Sequence, residues 1–115
     1  MTHKGSCHCG QVKFEVEGTF DTAMECNCSH CSRKGYLLWF VPRTQFQLQS
    51  PESAVAIYTF NKHAIKHQLC IDCGVDVFAR GTKPDGSEVV ALNVSCIDGI
   101  ELSKLAMTPV DGRNR

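Results

Sequence analysis

The fold is decided by residues 7–16, which read Cys7-His8-Cys9-Gly10-Gln11-Val12-Lys13-Phe14-Glu15-Val16. Cysteines this close together are typical of thiolate metal sites, because a short pair delivers two sulfur ligands at little cost in loop entropy. The residues that follow alternate strictly, with the apolar side chains of positions 12, 14 and 16 on one face. This alternation predicts a half-buried strand. The stretch therefore predicts a pair of metal ligands at the start of a β-strand.

The other clustered cysteines form a pair, Cys70 and Cys73, and a trio, Cys26, Cys28 and Cys31. The pairs at 7 and 9 and at 70 and 73 together give four sulfurs, the complete ligand set of a structural zinc ion. The trio has one sulfur fewer. It either takes a histidine as its fourth ligand or leaves a coordination position for water or substrate, as catalytic zinc sites do. We expect two zinc ions, one structural and one catalytic.

An even number of cysteines in a short chain also fits a disulfide framework, and this chain has eight. Against that alternative, a bridge between neighbours such as Cys7 and Cys9 is strained. Residues 1–6, Met-Thr-His-Lys-Gly-Ser, also lack the apolar core of a secretory signal. We therefore favour reduced thiols, which suit the cytoplasm or another reducing compartment, and of these we expect the cytoplasm.

The composition limits the kinds of partner. The 115 residues include 12 basic and 12 acidic side chains, so the formal net charge is zero. This gives no electrostatic reason to expect nucleic acid or a membrane surface. The longest apolar run, at 36–41, is far shorter than the about 20 residues that cross a bilayer. We predict one domain over residues 1–108 and a polar tail over 109–115, and the sequence indicates no oligomeric state.

Short runs of β-branched and aromatic residues predict further strands at 37–41, 46–48, 55–60, 65–69, 75–79 and 89–94. Residues 50–53, Ser-Pro-Glu-Ser, predict a single helical turn. Residues 81–86, Gly-Thr-Lys-Pro-Asp-Gly, predict a hairpin between the last two strands. The fold class is therefore a mostly β single domain, with the cysteine clusters at strand ends and turns.

The cysteine clusters and their flanks resemble the signature of the glutathione-dependent formaldehyde-activating enzyme family. The resemblance rests on three stretches and covers roughly residues 5–105: Gly5-Ser6-Cys7-His8-Cys9-Gly10 with the strand that follows, Cys26-Asn27-Cys28-Ser29-His30-Cys31, and Cys70-Ile71-Asp72-Cys73-Gly74-Val75. The stretches Tyr58-Thr59-Phe60-Asn61 and Ser95-Cys96-Ile97-Asp98 are more similar to the centromere protein V-like branch of that family.

This resemblance implies a small zinc-bound, β-tent-like fold of the kind shared with a Rab GTPase accessory protein. It implies a structural zinc on the two cysteine pairs and a catalytic zinc on the trio of Cys26, Cys28 and Cys31. The implied activity is the addition of glutathione to formaldehyde, classed as a carbon-sulfur lyase reaction. Glutathione is then the co-substrate, and the partner is a small thiol or aldehyde.

Several side chains near the clusters are further candidates. His30 is a proton carrier or a fourth ligand, or else faces solvent. Arg33 and Lys34 offset the negative charge of a thiolate site and its ligand, or else form an ordinary solvated pair. His67 donates a hydrogen bond beside the four-cysteine site, or else lies on a polar strand face. Cys96, which has no partner nearby in the sequence, is expected to pack as a small hydrophobe.

Two other classes of function fit parts of the sequence. A zinc-stabilised binding module without catalysis would use the same fold. A nucleic-acid reader built on zinc-ribbon turns is disfavoured by the zero net charge and the dispersed basic residues. We favour the zinc enzyme because an incomplete three-thiolate set is hard to explain as a scaffold.

Overall fold

The computed structural model describes residues 2–19, 22–26, 29–35, 37–59, 65–100 and 105–110. The elements in chain order are β1 (Thr2–Ser6), β2 (Lys13–Glu17), β3 (Thr22–Cys26), α1 (Ser29–Lys34), β4 (Leu38–Pro42), β5 (Phe46–Leu48), β6 (Val55–Tyr58), β7 (Lys66–Cys70), β8 (Asp76–Thr82), β9 (Glu88–Asn93) and β10 (Ala106–Val110). Short 3₁₀ turns occupy Arg43–Gln45, Glu52–Ala54 and Val94–Cys96. The predicted mostly β fold class is confirmed.

The strands form two sheets. The small sheet has the order β1-β2-β5, and the large sheet has the order β10-β3-β4-β9-β8-β7-β6. Strands β3 and β10 are parallel, and the other pairs are antiparallel. In these ranges no helix has the length and hydropathy needed to cross a membrane.

The core lies between the sheets, and aromatic rings join its two sides. Phe14 and Phe46 come from the small sheet and Phe78 from the large one, and each is at most 3% exposed. The ring centroid of Phe46 is 5.6 Å from that of Phe14 and 4.7 Å from that of Phe78. Truncating a buried ring of this kind to alanine typically costs about 3–5 kcal/mol. The contact between these rings therefore joins the two sheets through the core.

Strand β1 contacts the segment that follows β9 through a glycine. An isolated bridge pairs Gly5 with Ile97, and the backbone N–H of Asp98 donates to the carbonyl of Lys4 at 2.8 Å. A Cβ on Gly5 would lie 2.3 Å from the carbonyl oxygen of Cys96, so only glycine allows this approach. The contact fixes the position of the chain just before the first cysteine pair.

A β-bulge changes the sheet face on which the first side chains of β8 lie. The pairing between β7 and β8 shifts between Gln68 and Leu69, so Val77 is an extra residue on β8. A bulge resets the alternation of side chains. Asp76 consequently lies on the sheet face that carries His67.

Most predicted strands are found within two residues of their expected limits, and the predicted hairpin joins β8 to β9. The predicted helical turn at 50–53 is the 3₁₀ turn Glu52–Ala54. The strand predicted at 55–60 ends at Tyr58, and residue 60 lies outside the described residues. Strand β10 reaches Val110, two residues past the boundary placed at 108. No pattern in the sequence predicted β1, β3, α1 or β10.

Candidate metal centre

Four cysteines from two distant parts of the chain converge. The sulfur atoms of Cys7, Cys9, Cys70 and Cys73 all lie within 4.8 Å of one another. The Sγ atom of Cys9 is 3.6 Å from that of Cys7 and 3.5 Å from that of Cys70. A tetrahedral ion with metal–sulfur bonds of about 2.3 Å separates its sulfurs by about 3.8 Å. The cluster therefore has the dimensions of a four-thiolate metal site.

Each half of the cluster is a tight turn closed by glycine. Gly10 follows Cys9 directly and has φ +85°, and Gly74 follows Cys73 directly and has φ +77°. Side-chain-bearing residues rarely adopt these left-handed conformations, whereas glycine does so without steric cost. The two glycines therefore let the chain turn away just after it has presented its second sulfur.

Backbone N–H groups point at the sulfurs. The N–H of Val12 lies 3.4 Å from the Sγ atom of Cys7, and those of Asp72 and Cys73 each lie 3.4 Å from that of Cys70. Hydrogen bonds of this kind favour the thiolate over the thiol. These N–H groups are therefore placed to hydrogen-bond the sulfurs of metal-bound thiolates and stabilise their negative charge.

The four thiols do not ionise alike. Hydrogen bonds from the backbone N–H groups of Cys9 and Val75 lower the pKa of the Cys73 thiol to about 6. The backbone N–H of Gln11 favours the Cys9 thiolate, but desolvation and the neighbouring thiols, first that of Cys70, raise the pKa of Cys9 to about 12. Sulfurs this close cannot all become thiolates unless a cation balances their charge. The donor set thus fits a divalent ion.

The predicted trio of ligands flanks the connection between β3 and α1. Strand β3 ends at Cys26 and helix α1 contains Cys31, and of these two residues only the backbone is described. Cys28 lies outside the described residues. The short connection keeps the three cysteines near one another along the chain. Their predicted role as a second ligand set stays a prediction.

Helix α1 is tied to the large sheet by an ion pair. The Nζ atom of Lys34 lies 2.8 Å from Oδ2 of Asp76, whose side chain is only 7% exposed. The Nδ2 group of Asn93 donates to the backbone carbonyl of Asp76 at 2.8 Å, which holds the aspartate in place. Lys34 therefore anchors the helix that carries part of the trio, while Arg33, the other predicted cation, is exposed.

His30 lies in an aromatic group rather than facing open solvent. Its ring centroid is 4.1 Å from that of His67 and 5.5 Å from that of Tyr58. Burial lowers the pKa of His30, an effect that the Asp76 carboxylate opposes and the Lys34 ammonium reinforces. Burial, reinforced by His30, also lowers the pKa of His67 to about 4, although Asp76 opposes this shift. The group favours neutral imidazoles beside the trio.

The sequence did not identify Asp76 and Tyr58 as members of this group, and it placed His67 beside the four-cysteine site instead. No sequence pattern marks Asp76, because the bulge in β8 decides which face it occupies. Tyr58 lies directly opposite His67 in the β6–β7 pair. A prediction of the register between these two strands would therefore have placed the two rings together. His67 and Cys70 are three residues apart on one strand and point to opposite faces. His67 therefore packs with His30 on a buried sheet face and is only 5% exposed.

Cys96 is buried in the core at 8% exposure, as expected for a small packed hydrophobe. Burial raises the pKa of its thiol to about 12, and the nearby sulfurs of Cys7 and Cys73 act in the same direction. A thiol that stays protonated is a poor nucleophile and a poor metal ligand. The position of Cys96 therefore supports a packing role.

The fold and the cluster define a small, mostly β protein with a four-cysteine centre suited to a metal ion. Residues 2–110 match the family model described as glutathione-dependent formaldehyde-activating enzyme. The chain belongs to this family. It is also similar to the crystal structure of a Rhodobacter sphaeroides protein, with a TM-score of 0.78 and 27% sequence identity, over 91% of this chain and 99% of that one.

Proposed function

We propose that the protein is a zinc-dependent enzyme of the carbon-sulfur lyase type. It acts on the adduct of glutathione, or another small thiol, with formaldehyde or a related aldehyde. The observation that carries this proposal is the family match over residues 2–110, which spans all three cysteine clusters. Within the family we place the chain near the centromere protein V-like branch, on the stretches at 58–61 and 95–98. Reduced cysteines suit the cytoplasm, where we place the reaction.

The two clusters take different roles in this proposal. The converged set of Cys7, Cys9, Cys70 and Cys73 would hold a structural zinc ion, and the trio of Cys26, Cys28 and Cys31 would hold a catalytic one. The converged sulfurs support the first assignment through their spacing. The second assignment rests on the three-ligand set, which leaves one position open to substrate. When bound there, zinc supplies a Lewis acid that lowers the pKa of a thiol.

The chain's own residues would manage charge and proton transfer. Three thiolates and one divalent ion carry a charge of −1, so an anionic thiol beside them needs cations. Arg33 and Lys34 follow Cys31 closely, and Lys34 also balances the charge of Asp76. In the reaction the sulfur of glutathione bonds to the carbonyl carbon, and the carbonyl oxygen gains the proton that the thiol loses. His30, which lies within the trio's stretch of chain, is proposed to carry that proton.

The test compares two cysteine variants of the full chain. Cys28→Ser should lose one zinc equivalent and the activity, while its circular dichroism spectrum stays that of the wild type. Cys73→Ser should lose the fold, because the metal that it ligates holds both sheets. Zinc is counted by atomic emission, and turnover is followed by NMR exchange between free formaldehyde and its glutathione adduct. Wild-type turnover in Cys28→Ser would contradict the assignment of the trio.

A second measurement separates an enzyme from a binding module. Cobalt replaces zinc in thiolate sites and makes the ligand set visible by absorption. Glutathione should change the thiolate charge-transfer bands of the cobalt-substituted wild type and leave those of Cys28→Ser unchanged. If the wild-type bands do not respond to high glutathione, the non-catalytic binding module becomes the better description.

A further inference from the structure

A groove lies on the opposite side of the large sheet from the histidines. Arg80 follows Ala79, the cross-strand partner of His67, so its side chain leaves the other face of the sheet. There it lines a groove of about 490 Å³ together with Arg43, Ser50 and Glu52. Volumes of about 300–1,000 Å³ are typical of sites for small molecules. The groove is therefore large enough for a small ligand and separate from the aromatic group beside the trio.

Both guanidinium groups in the groove are held in place by the core. The Cζ atom of Arg80 lies 5.4 Å from the ring centroid of Phe78, and Nη1 of Arg43 donates to the backbone carbonyl of Phe46 at 3.2 Å. The rings of Phe46 and Phe78 are themselves in contact, at 4.7 Å between centroids. A ligand would find these two cations already oriented, which lowers the entropic cost of binding.

The charge of Arg80 is poorly compensated. Its Nε–H group is buried and meets no hydrogen-bond acceptor in the part of the chain that the structure describes. Its partner Glu52 makes a loose contact, with Nη2 to Oε1 at 3.4 Å, and the Glu52 side chain is 72% exposed. An exposed ion pair of this kind contributes about 0–1 kcal/mol.

A third cation lies beside this pair. Lys66 stands directly opposite Arg80 in the β7–β8 pair, and directly opposed side chains lie on the same face of a sheet. Like charges in that position repel each other and destabilise the pairing. Among the described residues, the groove lining thus holds two cations, Arg43 and Arg80, and one carboxylate, Glu52, with Lys66 opposite Arg80 on the same sheet face. A bound anion would relieve the repulsion.

We infer that this groove binds a small organic molecule through a carboxylate or phosphate group. The planar fork of a guanidinium matches two oxygens of either group and binds them with paired hydrogen bonds. Arg80 offers the guanidinium edge that meets only the loosely held Glu52, and Arg43 lines the same groove. Glu52 is a competitor whose exposed side chain swings aside when the ligand enters.

The test titrates the metal-loaded full chain with inorganic phosphate and, separately, with succinate, at constant ionic strength set by sodium chloride. NMR chemical shifts report saturation. Arg80→Gln should weaken binding by about tenfold or more, because it removes a charge-assisted pair of hydrogen bonds. Glu52→Gln should tighten binding by about threefold, because it removes the competing carboxylate. Tighter binding of phosphate or of succinate tells which group the natural ligand carries.

Structural damage cannot imitate this result, since the two variants move the affinity in opposite directions. Arg43→Gln provides a second loss-of-binding variant if Arg80→Gln does not fold. Lys83→Gln, in the β8–β9 turn, removes a surface cation away from the groove and should keep the affinity within about twofold. The proposal is overturned if neither anion binds saturably, if Lys83→Gln weakens binding as much as Arg80→Gln, or if Glu52→Gln has no effect.

Discussion

Replacing Gly5 with alanine tests the contact between β1 and the segment that follows β9. The added Cβ would lie 2.3 Å from the carbonyl oxygen of Cys96 and 2.3 Å from Cζ of Phe14. Ordinary contacts of this type begin at about 3.4 Å, so at least one neighbour must move by about 1 Å. Neither neighbour moves easily, because one is backbone and the other is a core ring at 1% exposure.

The expected cost lies at the upper end of the range for overpacking, about 3 kcal/mol. For a domain of this length each kcal/mol lowers the melting temperature by about 4 °C, so we expect a loss of about 12 °C. The shift would also disturb Cys7, which lies two residues beyond Gly5. We therefore expect Gly5→Ala to release its metal to a chelator faster than the wild type does.

Gly81→Ala is the matched control. Gly81 also lies in a strand, has no positive φ, and its added Cβ would meet its nearest neighbour at 3.8 Å, an ordinary contact. This variant should keep its stability within about 0.5 kcal/mol of the wild type. Both variants are unfolded in urea and followed by the fluorescence of Trp39, the single tryptophan of the chain. A difference of less than about 1 kcal/mol between them would refute the close approach of β1.

Three further outcomes follow from buried groups. The pKa of His67, about 4 against an ordinary 6.5, means that the unfolded chain binds a proton that the native protein does not. The full contribution of neutral His67 to the free energy of unfolding should therefore be present above pH 6.5, and about 2–3 kcal/mol of it should be lost as the pH falls to 4. Urea titrations of His67→Gln should show a smaller loss over the same pH range. Asp76→Asn should cost about 1–2 kcal/mol, and a double-mutant cycle with Lys34→Met should give a coupling near 1 kcal/mol, whereas additive effects would contradict the ion pair. Cys96 should resist iodoacetamide at pH 8 in the native protein, since its thiol stays protonated, and peptide mass spectrometry showing rapid alkylation would contradict its burial.

The sequence predicted the strands that pack on the core, because burial leaves a pattern in the residues. The alternation at 11–16 gave β2, and the short apolar runs gave β4 and β5, within one or two residues. The spacing of the cysteine pairs likewise gave the four members of the converged cluster, since short pairs of sulfurs are restricted to few geometries.

The missed strands carry no such pattern. Residues 2–6, Thr-His-Lys-Gly-Ser, are mostly polar and form β1 only because β2 offers a partner, so pairing overrides weak local propensity. Strand β10 contains Pro109, which a sheet tolerates at its edge, and β10 is the edge strand beside β3. Each of these strands depends on a neighbour distant in the chain.

The positions of single side chains in the candidate site depend on a further level of detail. A one-residue bulge at Val77 decides that Asp76 meets Lys34, and a strand period of two decides that His67 leaves the face of Cys70. The bulge leaves no recognisable pattern in the sequence. The opposite orientation of His67 and Cys70, in contrast, could have been predicted from their three-residue spacing.

The four-cysteine cluster also limits how early the nascent chain can complete its folding on the ribosome. Its first two sulfurs emerge before its last two, since Cys9 and Cys70 are 61 residues apart, so the first pair must wait for its partners. Domains complete their folding once the residues that close them are available. We expect a cell starved of the metal that this cluster binds to accumulate chains whose sheets have not docked, and to remove them by proteolysis.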